Sequence, residues 1–455
     1  MLFTFAAANH LTMAKSKKKN EETPLKEHKK PWRETYATVE EIKDFLRNHI
    51  YLRFNTVKHQ VEARLPSEDS FCQNGDLAQF ATGEWQLMND RLFKSLLTAL
   101  QSVKPTLERD LETVMGSGFV PDYHPFRYYL NRLPPWDGLN NILLLSTSVK
   151  VKGGVENHML FYEYLRKWLV AMVASWLDDD VVNQSVLVFI GEQGLYKTTW
   201  FSHLLPPELR HYFRIKVNSN KVGKDDLIAM SQFGLVCYEE LDVMRPSEVN
   251  TMKTVVTMPF IDERRPYGHY MEHMPHVASF CGTGNNIQFL NDSSGNRRWL
   301  PFEVESIESP RDNPFDYEGI YSEAYALYLQ GFRYYFSKAE EEVLKVHNEV
   351  FETPSQEKEV IGRFFRQPNE KERGEFYTAT DILLAVGANP AVRLTVEKIG
   401  AAMRSLGFQP LRSHGRRGYR VVAYKAEEIE QNRRILAYDA TDNDDSEGDS
   451  GDSGS

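Results

Sequence analysis

Five apolar residues, Val186 to Ile190 (VLVFI), break without transition into GEQGLYKTTW, and this junction restricts the chain more than any other stretch of its 455 residues. A buried strand that ends in a glycine turn followed by Lys-Thr is the construction of a phosphate-binding loop. Gly191 and Gly194 let the backbone curl so that consecutive N–H groups face one anion, and the helix that follows adds its positive N-terminal end. Lys197 is then placed to reach the β- and γ-phosphates as a point charge. The hydroxyl of Thr198, followed by Thr199, completes a Mg²⁺ shell. The common pattern carries glycine immediately before the lysine. Here that position is Tyr196, and the second glycine has moved to Gly194. The plainer alternative is a strand, a tight turn and a surface lysine.

A nucleotide-hydrolysing site needs a second strand ending in carboxylates, one to hold the metal and one to polarise the attacking water. The run Phe233 to Tyr238 (FGLVCY) leads straight into Glu239, Glu240 and Asp242. Neighbouring acids at a strand end repel each other and point to opposite faces, so they do little for stability. A strand running out into a solvated acidic loop is the competing reading. A third strand, expected over Val277 to Cys281, ends in GTGNN, where Asn285 and Asn286 are placed to orient water against a γ-phosphate, although Asn after a strand is also a common turn former. Next comes SSGNRRW. Its arginines fit a surface salt bridge, and Arg297 or Arg298 equally fits an arginine finger projecting into a neighbour's nucleotide site.

The series GEQGLYKTT, YEELD, ERRPYG, CGTGNN and GNRRW, with HPFRYYLNRLPPWDG upstream, resembles the virulence-associated protein E family over residues 35–305. That family comprises P-loop ATPases of phages and mobile genomic islands, related to superfamily 3 helicases of the AAA+ class. The resemblance implies an α/β fold with a P-loop NTPase (AAA+/superfamily 3-like) core. It also implies roles: Lys197 and Thr198 as Walker A, Glu239 and Glu240 as Walker B, Asn285 as sensor and Arg298 as the finger, with Asp242 supporting Mg.

The net charge of −10 is unevenly placed. Asp439, Asp442, Asp444, Asp445, Glu447, Asp449 and Asp452 lie in the last seventeen residues, and without those seven the balance is −3. Local basic surfaces are therefore compatible with the composition. Cys72, Cys237 and Cys281 show no metal spacing and read as reduced, buried thiols. The first dozen residues are too short to span a bilayer, Met13 is a plausible alternative start, and the expectation is a soluble, cytoplasmic protein without membrane partners.

In chain order, residues 1–35 read as a disordered lysine-rich arm and 36–115 as a small α+β N-terminal module with a hairpin around Asn55 to His59. Residues 116–365 read as the ATPase core with a preceding helical segment, in which Trp168 and Trp176 are core residues. Within it, MPFIDERRPYGHY carries Arg264, Arg265 and His269 among tyrosines. Such a loop suits single-stranded DNA in a ring channel, and its plainer reading is a solvated loop whose arginines pair with nearby acids. Residues 376–425 read as a winged helix, with Arg404 on the second helix and Arg416 and Arg417 on the wing. A basic winged helix also serves as a protein-docking module. Residues 439–455 form a disordered acidic tail.

These readings point to an ATP- and Mg-dependent DNA motor, a homo-oligomeric ring such as a hexamer. Its partners are single-stranded DNA or a duplex, with a primase encoded separately, in replication of a phage or mobile element. A nucleotide-switched DNA-binding regulator or phage-defence component without unwinding activity is the alternative.

Overall fold

The computed structural model describes residues 35–216, 223–265, 268–290, 296–353, 356–369, 372–387, 394–413, 415–425 and 427–429. The lysine-rich arm up to residue 34, Tyr267, Asn389, Pro390, His414 and the acidic tail lie outside the described residues. The chain divides into two compact units, one made of residues up to Asn55 with Gln60–Asp122, the other of Thr56–His59 with Tyr123 onward.

In the first unit, helix Val39–His49 opens on a capping box in which Thr38 and Glu41 satisfy each other's backbone N–H groups. Strands Tyr51–Asn55, Gln60–Arg64 and Trp85–Leu87 pair antiparallel. Helices Asp90–Val103 and Glu108–Met115 close a core that includes Ile42, Leu46, Leu65, Leu92, Leu96 and Leu111.

The second unit is organised by a six-stranded sheet. Its elements in chain order are β1 (Val149–Val151), helix α1 (Gly154–Leu177), β2 (Val186–Ile190), helix α2 (Lys197–Leu204), β3 (Phe213–Lys216), helix α3 (Lys224–Gln232), β4 (Leu235–Tyr238), β5 (Ser279–Gly284) and β6 (Trp299–Ile307). The spatial order is β1-β6-β2-β5-β4-β3. All neighbours run parallel except the β1–β6 pair.

Every residue of β2 is buried, because alternate side chains feed two different cores. Leu187 and Phe189 join Cys237, Cys281, Leu300 and Phe302 on one side, where α1 contributes Trp168 and Trp176. Val186, Val188 and Ile190 join Val236, Tyr238 and Phe280 on the other. The Trp168 indole donates to the carbonyls of Phe280 (3.1 Å) and Ser185 (3.2 Å), so the helix is keyed to the sheet as well as packed on it. Cys72, Cys237 and Cys281 are free and buried. Strand β5 runs through Gly284, beyond the Cys281 end expected from sequence. Its pairing with β2 continues to Gly284 opposite Ile190, so the glycine-rich GTG segment is ladder rather than turn.

Toward the C-terminus, helices Gln356–Phe364, Ala379–Val386 and Val396–Ser405 pack against a small antiparallel sheet whose long strand, Arg416–Ala423, pairs with Pro410–Ser413, Glu375–Tyr377 and Phe365–Arg366. Ile361, Ile382, Ile399, Met403, Tyr419 and Val421 fill its core. Among the described residues, no helix is long and apolar enough to cross a membrane.

Candidate nucleotide site

Because β2, β4 and β5 are parallel, their C-terminal ends share one edge of the sheet. There the strands give way to Gly191, Glu239 and Asn285. Strand β2 sits between β5 and β6, where the chain crosses over itself, and such a crossover point opens a crevice at the strands' carboxyl ends.

The turn after β2 is held tightly. The Gly191 N–H donates to the Gly284 carbonyl at 3.2 Å, and a Cβ on Gly191 would stand 2.8 Å from the Val304 carbonyl oxygen, so no side chain fits. Gly194 has φ 90°, a region favouring glycine. Tyr196 has φ 60° and ψ 18°, which is left-handed backbone. This explains the departure from the common motif: the residue before the lysine has to adopt positive φ to launch α2, glycine does so freely, and here a tyrosine does so under strain.

Lys197 begins α2 with its side chain buried. Its ammonium donates to the carbonyls of Gly191 (2.5 Å) and Glu192 (2.6 Å) and to Asn285 Oδ1 (3.3 Å). Three donors meet three acceptors, so the charge is held over the hollow of the loop. Burial pushes its pKa below the ordinary lysine value, and the nearby Asp242 carboxylate works against that.

The Thr198 hydroxyl donates to Glu239 Oε1 at 2.8 Å, tying the loop's helix to the end of β4. Thr199, half-buried, lies one residue further along α2. Glu240, exposed, also has left-handed backbone with φ 55° and ψ 47°, and the turn swings it to a different side from Glu239. Asp242 Oδ2 accepts the Asn286 N–H at 3.1 Å, while its Oδ1 is buried without a hydrogen-bond partner among the described residues. Lys197, Thr198, Glu239, Asp242 and Asn285 therefore form one linked cluster.

Arg298 lies elsewhere. It precedes Trp299, which pairs with Val186 at the start of β2, whereas Gly191 follows Ile190 at its end. Six residue steps along a strand put them roughly 20 Å apart on opposite edges of the sheet. Arg298 is partly buried, and desolvation together with the adjacent Arg297 charge pulls its pKa down. It borders a cavity of about 450 Å³ with Arg297, Gln184 and Tyr335.

The predicted DNA-contacting residues divide. Arg264 and His269 are exposed in the loop between antiparallel strands Phe260–Glu263 and Glu272–Pro275, beside Tyr270, which is 83% exposed. Arg265 is turned back instead: its Nε donates to Glu272 Oε2 at 2.7 Å within the same hairpin, the pairing that the plainer reading of the loop allows. Arg404 is exposed on Val396–Ser405, and Arg416 and Arg417 are exposed at the start of the long C-terminal strand, with Arg417 directly opposite Arg412.

Residues 130–353 match the virulence-associated protein E-like domain. The chain carries that domain. Its span takes in the whole linked cluster, Arg298 and the Arg264–His269 loop, and excludes Arg404, Arg416 and Arg417. No curated protein matches the chain. Among solved structures, the apo structure of the NrS-1 C-terminal region (305–718) covers 84% of this chain and 98% of its own, at 11% identity and TM-score 0.41. An A form of the same region gives 11% identity over the same shares at TM-score 0.45.

The left-handed Tyr196 and Glu240, and the bond from Thr198 to Glu239, are features that no spacing rule reveals. Asp242 was placed by sequence, but its tie to Asn286 depends on the 44-residue return of the chain.

Proposed function

We propose that the chain is a P-loop ATPase of the AAA+/superfamily 3 type that acts as a DNA motor. The observation that carries this reading is the convergence of Lys197, the Thr198–Glu239 pair and Asn285 at one sheet edge. A lysine ammonium held over a glycine loop, beside a helix N-terminus, is a receptor for a polyphosphate. On binding, the phosphate oxygens would replace the Gly191 and Glu192 carbonyls as acceptors for Lys197.

The residues present fit Mg²⁺. Thr198 Oγ and Glu239 are hard oxygen donors already in contact, and Asp242 offers a buried carboxylate oxygen with no partner. Among the described residues no cluster of three or more acids, histidines or cysteines forms a metal cage. That accords with an ion that keeps most of its waters and binds through one or two protein groups and the substrate phosphates. The ion would supply charge neutralisation at the β- and γ-phosphates. Glu240 is the group to orient and deprotonate the attacking water, Asn285 to hydrogen-bond near the γ-phosphate, and Lys197 to offset developing charge.

Arg298 acts on a second copy. With about 20 Å of sheet between it and its own loop, it can serve catalysis only from a neighbour, which calls for a head-to-tail assembly that closes as a ring. The exposed Arg264, His269 and Tyr270 suit a single strand passing through such a ring. The helix–helix–hairpin arrangement of 376–425 suits a winged helix that meets DNA through Arg404, Arg416 and Arg417.

The test is ATP hydrolysis by wild type and Lys197→Ala, with and without single-stranded DNA, alongside mass photometry. Hydrolysis raised by DNA, lost in Lys197→Ala and accompanied by a ring supports the motor. ATP bound without turnover, on monomers or dimers only, replaces it with a nucleotide-switched DNA-binding protein.

A further inference from the structure

The antiparallel sheet of the first unit has one face in the core, while on the other Tyr51 is exposed, Arg53, Arg64 and Trp85 are half-buried and Asn55 and Glu62 are buried. Leu52, Val61 and Ala63 pack inward. The alternate residues face the other way, and register brings them side by side: Tyr51 opposite Arg64, Arg53 opposite Glu62, and Arg64 opposite Trp85. The two arginines of this face are used differently. Arg53 is neutralised, with Nη2 2.6 Å from Glu62 Oε2, and its guanidinium lies 4.1 Å from the Trp85 ring centre. Arg64 has rings but no acid among the described residues: its guanidinium stands 4.5 Å from the Tyr51 ring centre and 5.3 Å from that of Trp85. Tyr51 is 52% exposed.

We infer that this face is a second binding site, for single-stranded nucleic acid, with Arg64, held against Trp85, taking a backbone phosphate and the exposed Tyr51 ring offering a stacking surface for a base. Three features favour that ligand. The unpaired cation sits on the middle strand with an aromatic ring on each flanking strand, a spacing between rings of about 10 Å. Stacking on rings and neighbouring side chains already restricts the Arg64 guanidinium, so little rotamer entropy remains to be lost on binding. Phosphate pairing combined with sequence-tolerant base stacking is how proteins hold single strands. The inference concerns a different unit from the nucleotide cluster and does not depend on hydrolysis.

The experiment uses the full chain without nucleotide. A single strand substituted with 5-bromodeoxyuridine is photocrosslinked to wild type, and the attached peptides are mapped by mass spectrometry. In parallel, the anisotropy of a labelled oligothymidylate is titrated with wild type, Arg64→Glu and Tyr51→Ala, and melting curves verify folding. The expected result is crosslinks within residues 51–87, about tenfold weaker binding in each variant, and a salt slope shallower by about one in Arg64→Glu. Crosslinks confined to residues outside 51–87 overturn the inference, and so does unchanged binding in both folded variants. The crosslinks decide even if a variant fails to fold, because they need only wild type.

Discussion

The six-stranded sheet, parallel but for one edge pair, is covered on both faces at its centre, so Val186–Ile190 and Leu235–Tyr238 are buried at every position and the chemistry appears where these strands stop. The antiparallel sheet of the first unit turns one face to its core and leaves part of the other exposed at Tyr51, and its distinctive side chains lie along the strands rather than beyond them. An edge gathers backbone N–H groups, a helix N-terminus and side chains from several strands around one point, which suits a compact anion. An open face spreads side chains at the spacing of the strands, which suits an extended ligand. The two proposals thus assign the two sheets two kinds of binding, and each makes its own predictions.

The largest expected effect tests the polarity of the parallel sheet. Arg298→Ala should lower DNA-stimulated ATP hydrolysis by about 10³- to 10⁵-fold, the scale of arginine-finger losses. Mixing it with Lys197→Ala should restore part of the rate. In a mixed ring the intact loop of one protomer meets the intact Arg298 of the next. No recovery on mixing, with rings present, would refute the finger in trans. Glu240→Gln comes next, with an expected loss of about 10²- to 10⁴-fold in turnover while ATP binding, read by a fluorescent nucleotide, persists. Glu239→Ala should differ, because it removes the acceptor of the Thr198 hydroxyl and so weakens nucleotide binding as well.

The same contrast governs what could be read in advance. The parallel sheet announced itself through unbroken runs, VLVFI and LVCY, and the residues that end its strands were found because they follow those runs immediately. The glycines of strand β5 resemble a turn in sequence, and only the ladder with β2 shows that they are paired. Arg265 looked like a ligand in the company of Arg264 and His269, but Glu272, opposite the hairpin strand's end, claims it. Composition cannot say which of several arginines a nearby acid will take. The Tyr51–Arg64–Trp85 group of the first unit is illegible in sequence for a related reason. Tyr51, Arg64 and Trp85 are distant in sequence, and strand register alone brings them together.

One buried histidine, His276, and two half-buried ones, His124 and His347, give a smaller, pH-dependent effect. Burial drives His124 down to about 3 and His276 to about 4, and lowers His347 as well. His124 Nδ1 accepts the Arg127 N–H, so a proton there removes a helix cap. His276 points Nδ1 at the Met258 carbonyl and leaves Nε2 buried without a partner, so a second proton would have no acceptor. With folded values below the ordinary 6.5, the unfolded chain binds more protons in between. Stability is therefore full above about pH 6.5 and is lost as pH falls toward the folded values. At pH 5.5, His124 and His276 should each cost about 1 kcal/mol, seen as a lower melting temperature of the second unit. A melting temperature unchanged between pH 7.5 and 5.5 would mean that these rings are hydrated.

The smallest effect isolates the strain stored at the edge. Three non-glycine residues have positive φ among the described residues, and two of them, Tyr196 and Glu240, flank the nucleotide cluster. The left-handed conformation costs a side-chain-bearing residue about 1 kcal/mol or more. At Glu240 that cost accompanies a group assigned to the reaction. At Tyr196 the ring is 47% exposed, so glycine would relieve the backbone and sacrifice little packing. Tyr196→Gly should stabilise the second unit by about 0.5 to 1 kcal/mol, offset in part by the greater freedom of glycine in the unfolded chain. That corresponds to a rise of roughly 2 °C in melting temperature. ATP affinity should stay within a few-fold of wild type, since the backbone already holds the geometry that glycine prefers. A fall in stability would mean that the tyrosine ring, and not the backbone, sets the shape of the loop, and the strain assigned to this position would be withdrawn.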